Sequence, residues 1–199
     1  KLSQEKDDVL GLMKEIEGLV VAGVSTFEID KRIEERMLQL GIKAECKGYA
    51  GYKFATCISV NDGVIHGVPS KEVILKSGDF VKIDVVGSFK GYCADISRYF
   101  FIGQVSETAR KLAFVAQKAL DAAIQMASPE VRLSDISYTI QQIVESAGFG
   151  VVRDFAGHGI GKNLHEAPNI PNYGQPGKGP LLQEGMALAI EPMITEKSY

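Results

Sequence analysis

Val9, Leu10, Met13, Ile16, Leu19 and Val20 recur at three- and four-residue intervals, which predicts a helix with one buried face over residues 4–22, ended by Gly23. Ser25-Thr26-Phe27-Glu28 has the spacing of a capping box and opens a second helix, with Ile29, Ile33, Met37 and Leu40 on its apolar face and Gly41 as its stop. A connection rich in Gly and Tyr (47–53) leads into a strand at 54–60, an Asn61-Asp62-Gly63 turn and a short strand carrying His66. Between Gly78 and Gly103 the pattern switches to period two. Val81, Ile83 and Val85 alternate with Lys82, Asp84 and Val86, as in a half-buried strand. Ser88-Phe89-Lys90-Gly91 reads as the turn and 92–102 as the returning strand.

With the turn centred between Phe89 and Lys90, Asp84 lies opposite Asp95. Like charges in facing positions destabilise a sheet. Two carboxylates on so apolar a hairpin therefore share a proton, bind cations, or turn outward into separate surface ion pairs.

Helical spacing returns over 106–127, closed by Pro129, and over 134–147, where Ile136, Ile140, Ile143 and Val144 point inward and Gly148 caps the end. A short strand at 151–155 leads to a histidine-bearing loop, a Gly/Pro connection spans 175–179, and a final strand covers 186–194. The order helix, helix, strands thus occurs twice. Gly78 precedes Asp84 by six residues, and Gly185 precedes Glu191 by six. The reading is a single domain over 1–199 built from duplicated halves, 1–103 and 104–199, each sending a carboxylate to a common site. The duplication calls for a further carboxylate strand after Glu191 to match Asp95. None follows before Tyr199, so the chain is read as incomplete at its C-terminus, and Lys1 as a trimmed N-terminus.

Composition narrows the function. A hydrophobic content of 45% with 24% charged residues is that of a globular domain with a sizeable core. A net charge of −3 and a pI near 5.7 argue against a nucleic-acid surface. No apolar run approaches a membrane span, and no signal-peptide pattern opens the chain. The three cysteines, Cys46, Cys57 and Cys93, are an odd number without CxxC spacing, which favours a reducing compartment, the cytoplasm.

All three histidines, His66, His158 and His165, stand beside glycines or prolines, in VIHGVP and AGHGIGKNLHEAP. Together with Asp84, Asp95 and Glu191 they form an oxygen-rich set with imidazole, the donor chemistry of Mn, Fe, Co or Zn. Two such ions about 3.5–4 Å apart can clamp the attacking and leaving groups of a hydrolysis. His158 and His165 are seven apart in a glycine-broken segment, so this is not an HExxH helix. The third glycine of GHGIG comes one residue too early for GxGxxG, which excludes a dinucleotide loop.

These residues carry a resemblance. SVNDGVIHGVP, KIDVVGSFKGYCADISRYF, GHGIGKNLHEAPNIPNYG and IEPMI, in this order, resemble the type I methionine aminopeptidases from about the second helix to Ile194. The resemblance implies an α+β pita-bread fold, a pseudo-twofold pair of helix-helix-hairpin units on a curved antiparallel sheet. It implies that Asp84, Asp95, His158 and Glu191 ligate one or two divalent ions, Co, Mn, Fe or Zn. His66 corresponds to the histidine that contacts the scissile amide, His165 to the one that stabilises the tetrahedral intermediate, and Glu191 doubles as the proton carrier. Cys46, Tyr49, Tyr52 and Cys57, with His66 and Leu164, fall where the family lines its methionine pocket, although Leu164 replaces a common aromatic. The family's last ligand, a bridging glutamate in a QFEHT-like segment, has no counterpart before Tyr199.

The implied activity is removal of the N-terminal methionine from nascent polypeptides. The implied partners are such peptides and the ribosome, with no nucleic acid bound directly, no membrane and a monomeric state. Two alternatives stand beside it: a catalytically impaired binding protein of the same fold, and an X-Pro peptidase, although that group lacks the Tyr/Cys run seen from Cys46 to Cys57.

Overall fold

A computed structural model describes residues 11–197, which fall into two units. One reaches to Ser106 and includes Gly161–Leu164; the other comprises Glu107–Ile160 and the chain from His165 onward.

In the first unit residues 11–15 are helical and tighten into a single 3-10 turn at Ile16–Leu19, with Leu12, Met13 and Ile16 buried. The expected start of this helix, including Val9 and Leu10, lies outside the described residues. Helix α1 (Thr26–Gln39) begins as expected: Ser25 Oγ accepts from Glu28 N at 3.2 Å, and Glu28 accepts in return from Ser25 N. Its buried residues are Thr26, Ile29, Asp30, Ile33 and Met37, one stripe at helical spacing.

The stripe packs on an antiparallel sheet of β1 (Lys43–Ala44), β2 (Thr56–Val60), β3 (Phe80–Phe89) and β4 (Tyr92–Phe101). Strand β3 pairs along its whole length with β4, while β2 and β1 dock end to end along its other edge. Val81, Ile83 and Val85 are buried against Ile29, Ile33 and Met37 in one core. Each such aliphatic side chain contributes about 1.5–3 kcal/mol by burial.

The hairpin register differs from expectation. Phe89 faces Tyr92, so the turn is centred between Lys90 and Gly91, with φ of 51° and 83°. Two positive-φ residues are what a tight hairpin turn requires, and Ser88 and Phe89 belong to the strand. Asp84 therefore faces Ser97, and Asp95 faces Val86. The shift is two residues, so both aspartates stay on one face as diagonal neighbours. No strand forms around His66, because the chain from 61 to 70 is irregular. Strand β2 starts at Thr56, two residues later than expected.

The second unit contains α2 (Glu107–Met126) and α3 (Leu133–Ser146), whose Ala119, Ala123, Ile136, Ile140 and Val144 are buried together with Val151, Ile170 and Ile194. Its strands are β5 (Gly150–Val151), β6 (Ala156–Gly159), β7 (Glu166–Pro171), β8 (Leu188–Ala189) and β9 (Ile194–Thr195). Strand β6 lies between β7 and β8, and β5 pairs with β9. Three expectations change. His158 sits on a strand rather than in a loop, and the strand expected at 151–155 is only Gly150–Val151. The run 186–194 is also not one strand. It pairs first with His158 and Gly159, and then Ile194 and Thr195 move over to Val151 and Gly150. Pro192, which has no N–H to give a ladder, lies at the changeover.

One polar residue on the α1 stripe holds β2 in place. Asp30 is fully buried, and its Oδ1 accepts from Ala55 N (3.0 Å), Thr56 N (2.9 Å) and Thr56 Oγ1 (2.9 Å). Burial raises its pKa against the pull of those three bonds. Asp30→Asn keeps an acceptor oxygen and removes the buried charge, so its stability stays within about 1 kcal/mol of the parent. Asp30→Ala strands three buried donors and costs about 2–5 kcal/mol. The raised folded pKa also has a sign: its stabilising contribution is complete below the unfolded pKa of about 4 and is lost as pH rises through the folded value. Urea denaturation between pH 4 and pH 8 therefore shows Asp30→Asn gaining on the parent as pH rises. A loss in Asp30→Asn equal to that in Asp30→Ala at every pH would contradict this role.

Candidate metal centre and substrate pocket

In the second unit His158 owes its position to the glycines on either side. A Cβ at 157 would lie 2.3 Å from the Ala189 carbonyl oxygen, and one at 159 would lie 2.3 Å from that of Ala167. Only glycine lets β6 approach both neighbours so closely. Held there, His158 is 6% exposed, with Nδ1 2.8 Å from the Gly159 carbonyl and Nε2 3.2 Å from Glu191 Oε1. A carbonyl can only accept, so the proton of the neutral ring is on Nδ1 and the lone pair is on Nε2. A lone pair facing a carboxylate oxygen at this distance needs a positive charge between them, either a proton or a metal ion. This donor set fits a divalent ion: a nitrogen whose tautomer is fixed from behind, beside a carboxylate. The His165 ring stands edge-on to His158, with centroids 4.4 Å apart, and is itself exposed.

The first unit holds the remaining candidates. Asp84 and Asp95, both half-buried, share one face of the β3–β4 hairpin. Cys57 is the β2 partner of Asp84. Cys46 and Cys57 are free, buried thiols, and each bears on the other's ionisation. The Cys57 sulfur, burial and the charges of Asp84 and Asp95 together raise the Cys46 pKa well above the thiol range. The Cys46 thiol lowers Cys57 to about 7, against burial and the charge of Asp95. The Tyr52 hydroxyl also reaches Cys57, but its single proton goes to the Thr56 carbonyl at 2.9 Å. Stabilisation of a Cys57 thiolate therefore rests mainly on Cys46. Tyr52 is half-buried, Tyr49 is exposed and Leu164 is half-buried.

His66 has a φ of 55° and is exposed. Its backbone is held by the next residue. Ile58 N donates to the Gly67 carbonyl at 2.8 Å, and Gly67 N donates to Ser59 Oγ at 3.0 Å. A Cβ at 67 would lie 2.2 Å from the Ile58 carbonyl oxygen. The sequence reading passed over Asp30, although it falls on the apolar stripe of α1, four residues after Thr26 and three before Ile33. It also passed over Asn172, fully buried in the second unit next to the end of β7. Nothing in IPNYG marks that residue as buried.

Comparison with known proteins places this arrangement. Residues 9–198 match metallopeptidase family M24. The methionine aminopeptidase of Clostridium acetobutylicum is 45% identical over 177 residues, 89% of this chain and 71% of its own length. Methionine aminopeptidase 1 of Bacillus subtilis is 42% identical, over 95% of this chain and 80% of its own. Among solved structures, the methionine aminopeptidase of Thermotoga maritima superposes with a TM-score of 0.94 at 43% identity, covering 96% of this chain and 77% of its own. That of Rickettsia prowazekii gives 0.97 at 33% identity, covering all of this chain and 79% of its own. A Xaa-Pro dipeptidase from Bacillus anthracis, at 24% identity and a TM-score of 0.83 over 96% of this chain and 51% of its own, shares the fold alone. The fold is the α+β pita-bread fold. A match over nearly the whole length has one reading: the chain belongs to metallopeptidase family M24.

Proposed function

We propose that the protein is a metal-dependent methionine aminopeptidase, which hydrolyses the first peptide bond of chains that begin with methionine. The observation that carries this reading is the Nε2 of His158, fixed from behind by the Gly159 carbonyl and 3.2 Å from Glu191 Oε1. Family membership and relatives named methionine aminopeptidase at 42–45% identity support it.

In this reading Asp84, Asp95, His158 and Glu191 hold one or two divalent ions, Mn, Fe, Co or Zn. When bound, such ions supply a water of lowered pKa and polarise the substrate carbonyl. Glu191 takes a proton from the attacking water and returns it to the departing amine nitrogen. His165 donates to the oxygen on which negative charge develops, an interaction worth about 3–4 kcal/mol in comparable sites. His66 contacts the scissile amide. Cys46, Tyr49, Tyr52 and Cys57, with His66 and Leu164, line the methionine pocket, where sulfur and aromatic rings suit an unbranched thioether. The substrates are nascent chains met at the ribosome in the cytoplasm by a monomeric enzyme, with neither nucleic acid nor membrane as partner. Among the described residues no helix is long and apolar enough to cross a membrane.

Two outcomes follow. Loaded with Mn or Co, the full-length protein releases methionine from Met-Ala and Met-Gly peptides and leaves Met-Leu largely intact, as read by chromatography of the free amino acid. Cleavage of Ala-Pro substrates instead would move the protein to the X-Pro peptidases, and capture of partners without turnover would make it a binding protein. Separately, His158→Ala lowers Mn affinity in calorimetry by more than about 100-fold, beyond the 10–100-fold typical of an outer-shell change. Affinity within threefold of the parent would place the ion elsewhere.

A further inference from the structure

Cys46 and Cys57 take no part in the proton transfers proposed above, yet the fold brings them together. Lys43 and Ala44 of β1 face Ser88 and Gly87, and Glu45 N continues onto the Val86 carbonyl at 3.0 Å. From the opposite end of the same β3 edge, Thr56 and Cys57 of β2 face Val85 and Asp84. The chain thus leaves that edge at Cys46 and returns at Thr56, ten residues looping out between the two cysteines. Both thiols are 8% exposed and free, and they sit at adjoining positions along that edge. Cys93 is engaged elsewhere, its Sγ 3.7 Å from the Lys162 carbonyl.

We propose that Cys46 and Cys57 form a dithiol modification site for hydroperoxides, closing into a disulfide that remodels the methionine pocket. The effect on the pocket rests on the function proposed above; the dithiol itself does not.

In the reaction one thiol sulfur attacks the peroxide and breaks its O–O bond, giving a sulfenic acid and releasing water or an alcohol. The second thiol displaces the sulfenic oxygen as water and forms the S–S bond. Two thiols and one hydrogen peroxide become one disulfide and two waters; the sulfurs are oxidised and the peroxide oxygens reduced. A disulfide requires sulfurs about 2.05 Å apart. Glu45, next to Cys46, is bonded at Val86, and Cys57 faces Asp84, so the two cysteines have little distance to close. Cys57 is fixed on β2, whereas Cys46 lies in a bend outside any strand. The turn that follows it carries positive φ at Gly48, Ala50 and Gly51.

The test exposes the Mn-loaded full-length protein to hydrogen peroxide, quenches with catalase, and maps the peptides by mass spectrometry without reduction. The expected product is a Cys46–Cys57 peptide pair lacking two hydrogens, formed while Cys93 is still a thiol. It is accompanied by at least a tenfold fall in kcat/KM for a Met-Ala peptide, restored by dithiothreitol. Cys46→Ser forms no such pair and keeps its own untreated activity through the same exposure. Phenylarsine oxide, which chelates paired thiols, binds the reduced parent far more tightly than it binds Cys46→Ser. Sulfinic or sulfonic acid on single cysteines without a cross-link, or equal arsenical affinity in parent and variant, overturns the dithiol. A cross-link that leaves methionine release unchanged overturns its effect on the pocket. If the reduced protein releases no methionine at all, the proposed function fails, while the cross-link and arsenical measurements still decide the dithiol.

Discussion

Backbone atoms beside two of the histidines approach so closely that no side chain fits. At 157 and 159 a Cβ would meet a carbonyl oxygen at 2.3 Å, and at 67 one would meet the Ile58 carbonyl at 2.2 Å. Each glycine lets the backbone beside its histidine lie flush against a neighbouring strand. For His158 the consequence is chemical. With Nδ1 committed to the Gly159 carbonyl, Nε2 presents its lone pair to Glu191, and the pair becomes a receptor for positive charge. The glycines are thus part of the site, although none supplies a ligand.

The first unit meets a related problem with carboxylates. Asp84 and Asp95 share a face of an apolar hairpin, and their charges also press on the Cys46 thiol beside them. Asp30, on the helix behind, hydrogen-bonds the entry of β2 and so sets where Cys57 stands. Acid groups do two jobs here. One, fully buried, pins backbone donors and has its pKa raised by burial. The others, half-buried on one face of the hairpin, are the proposed cation ligands.

Much of this was legible in the sequence. The capping box at Ser25, the period-two run from Val81 and the two later helices required only local pattern. The metal-ligand candidates emerged from the expected hairpin pairing, the repeated glycine-to-carboxylate spacing and the histidines set among glycines. What failed depended on pairing between distant segments. The hairpin register turned on which two residues take positive φ, and Lys90-Gly91 is a weaker signal than Asn-Gly. The glycine-rich stretch around His158 has no strand propensity of its own and becomes a strand only between β7 and β8. The final strand broke where Ile194 moves to a different partner from Leu188, which no local pattern records. Asp30 could have been found, since a carboxylate on an apolar helical stripe asks for buried donors.

The central claim is that these oxygen and nitrogen donors exist to hold a cation. Anomalous diffraction from a crystal of the protein grown with manganese or cobalt addresses it most directly. The account predicts a peak about 2.0–2.2 Å from His158 Nε2 and from a Glu191 carboxylate oxygen, with Asp84 and Asp95 completing the coordination. Anomalous density absent from these groups, with His158 and Glu191 joined by a proton alone, would contradict it.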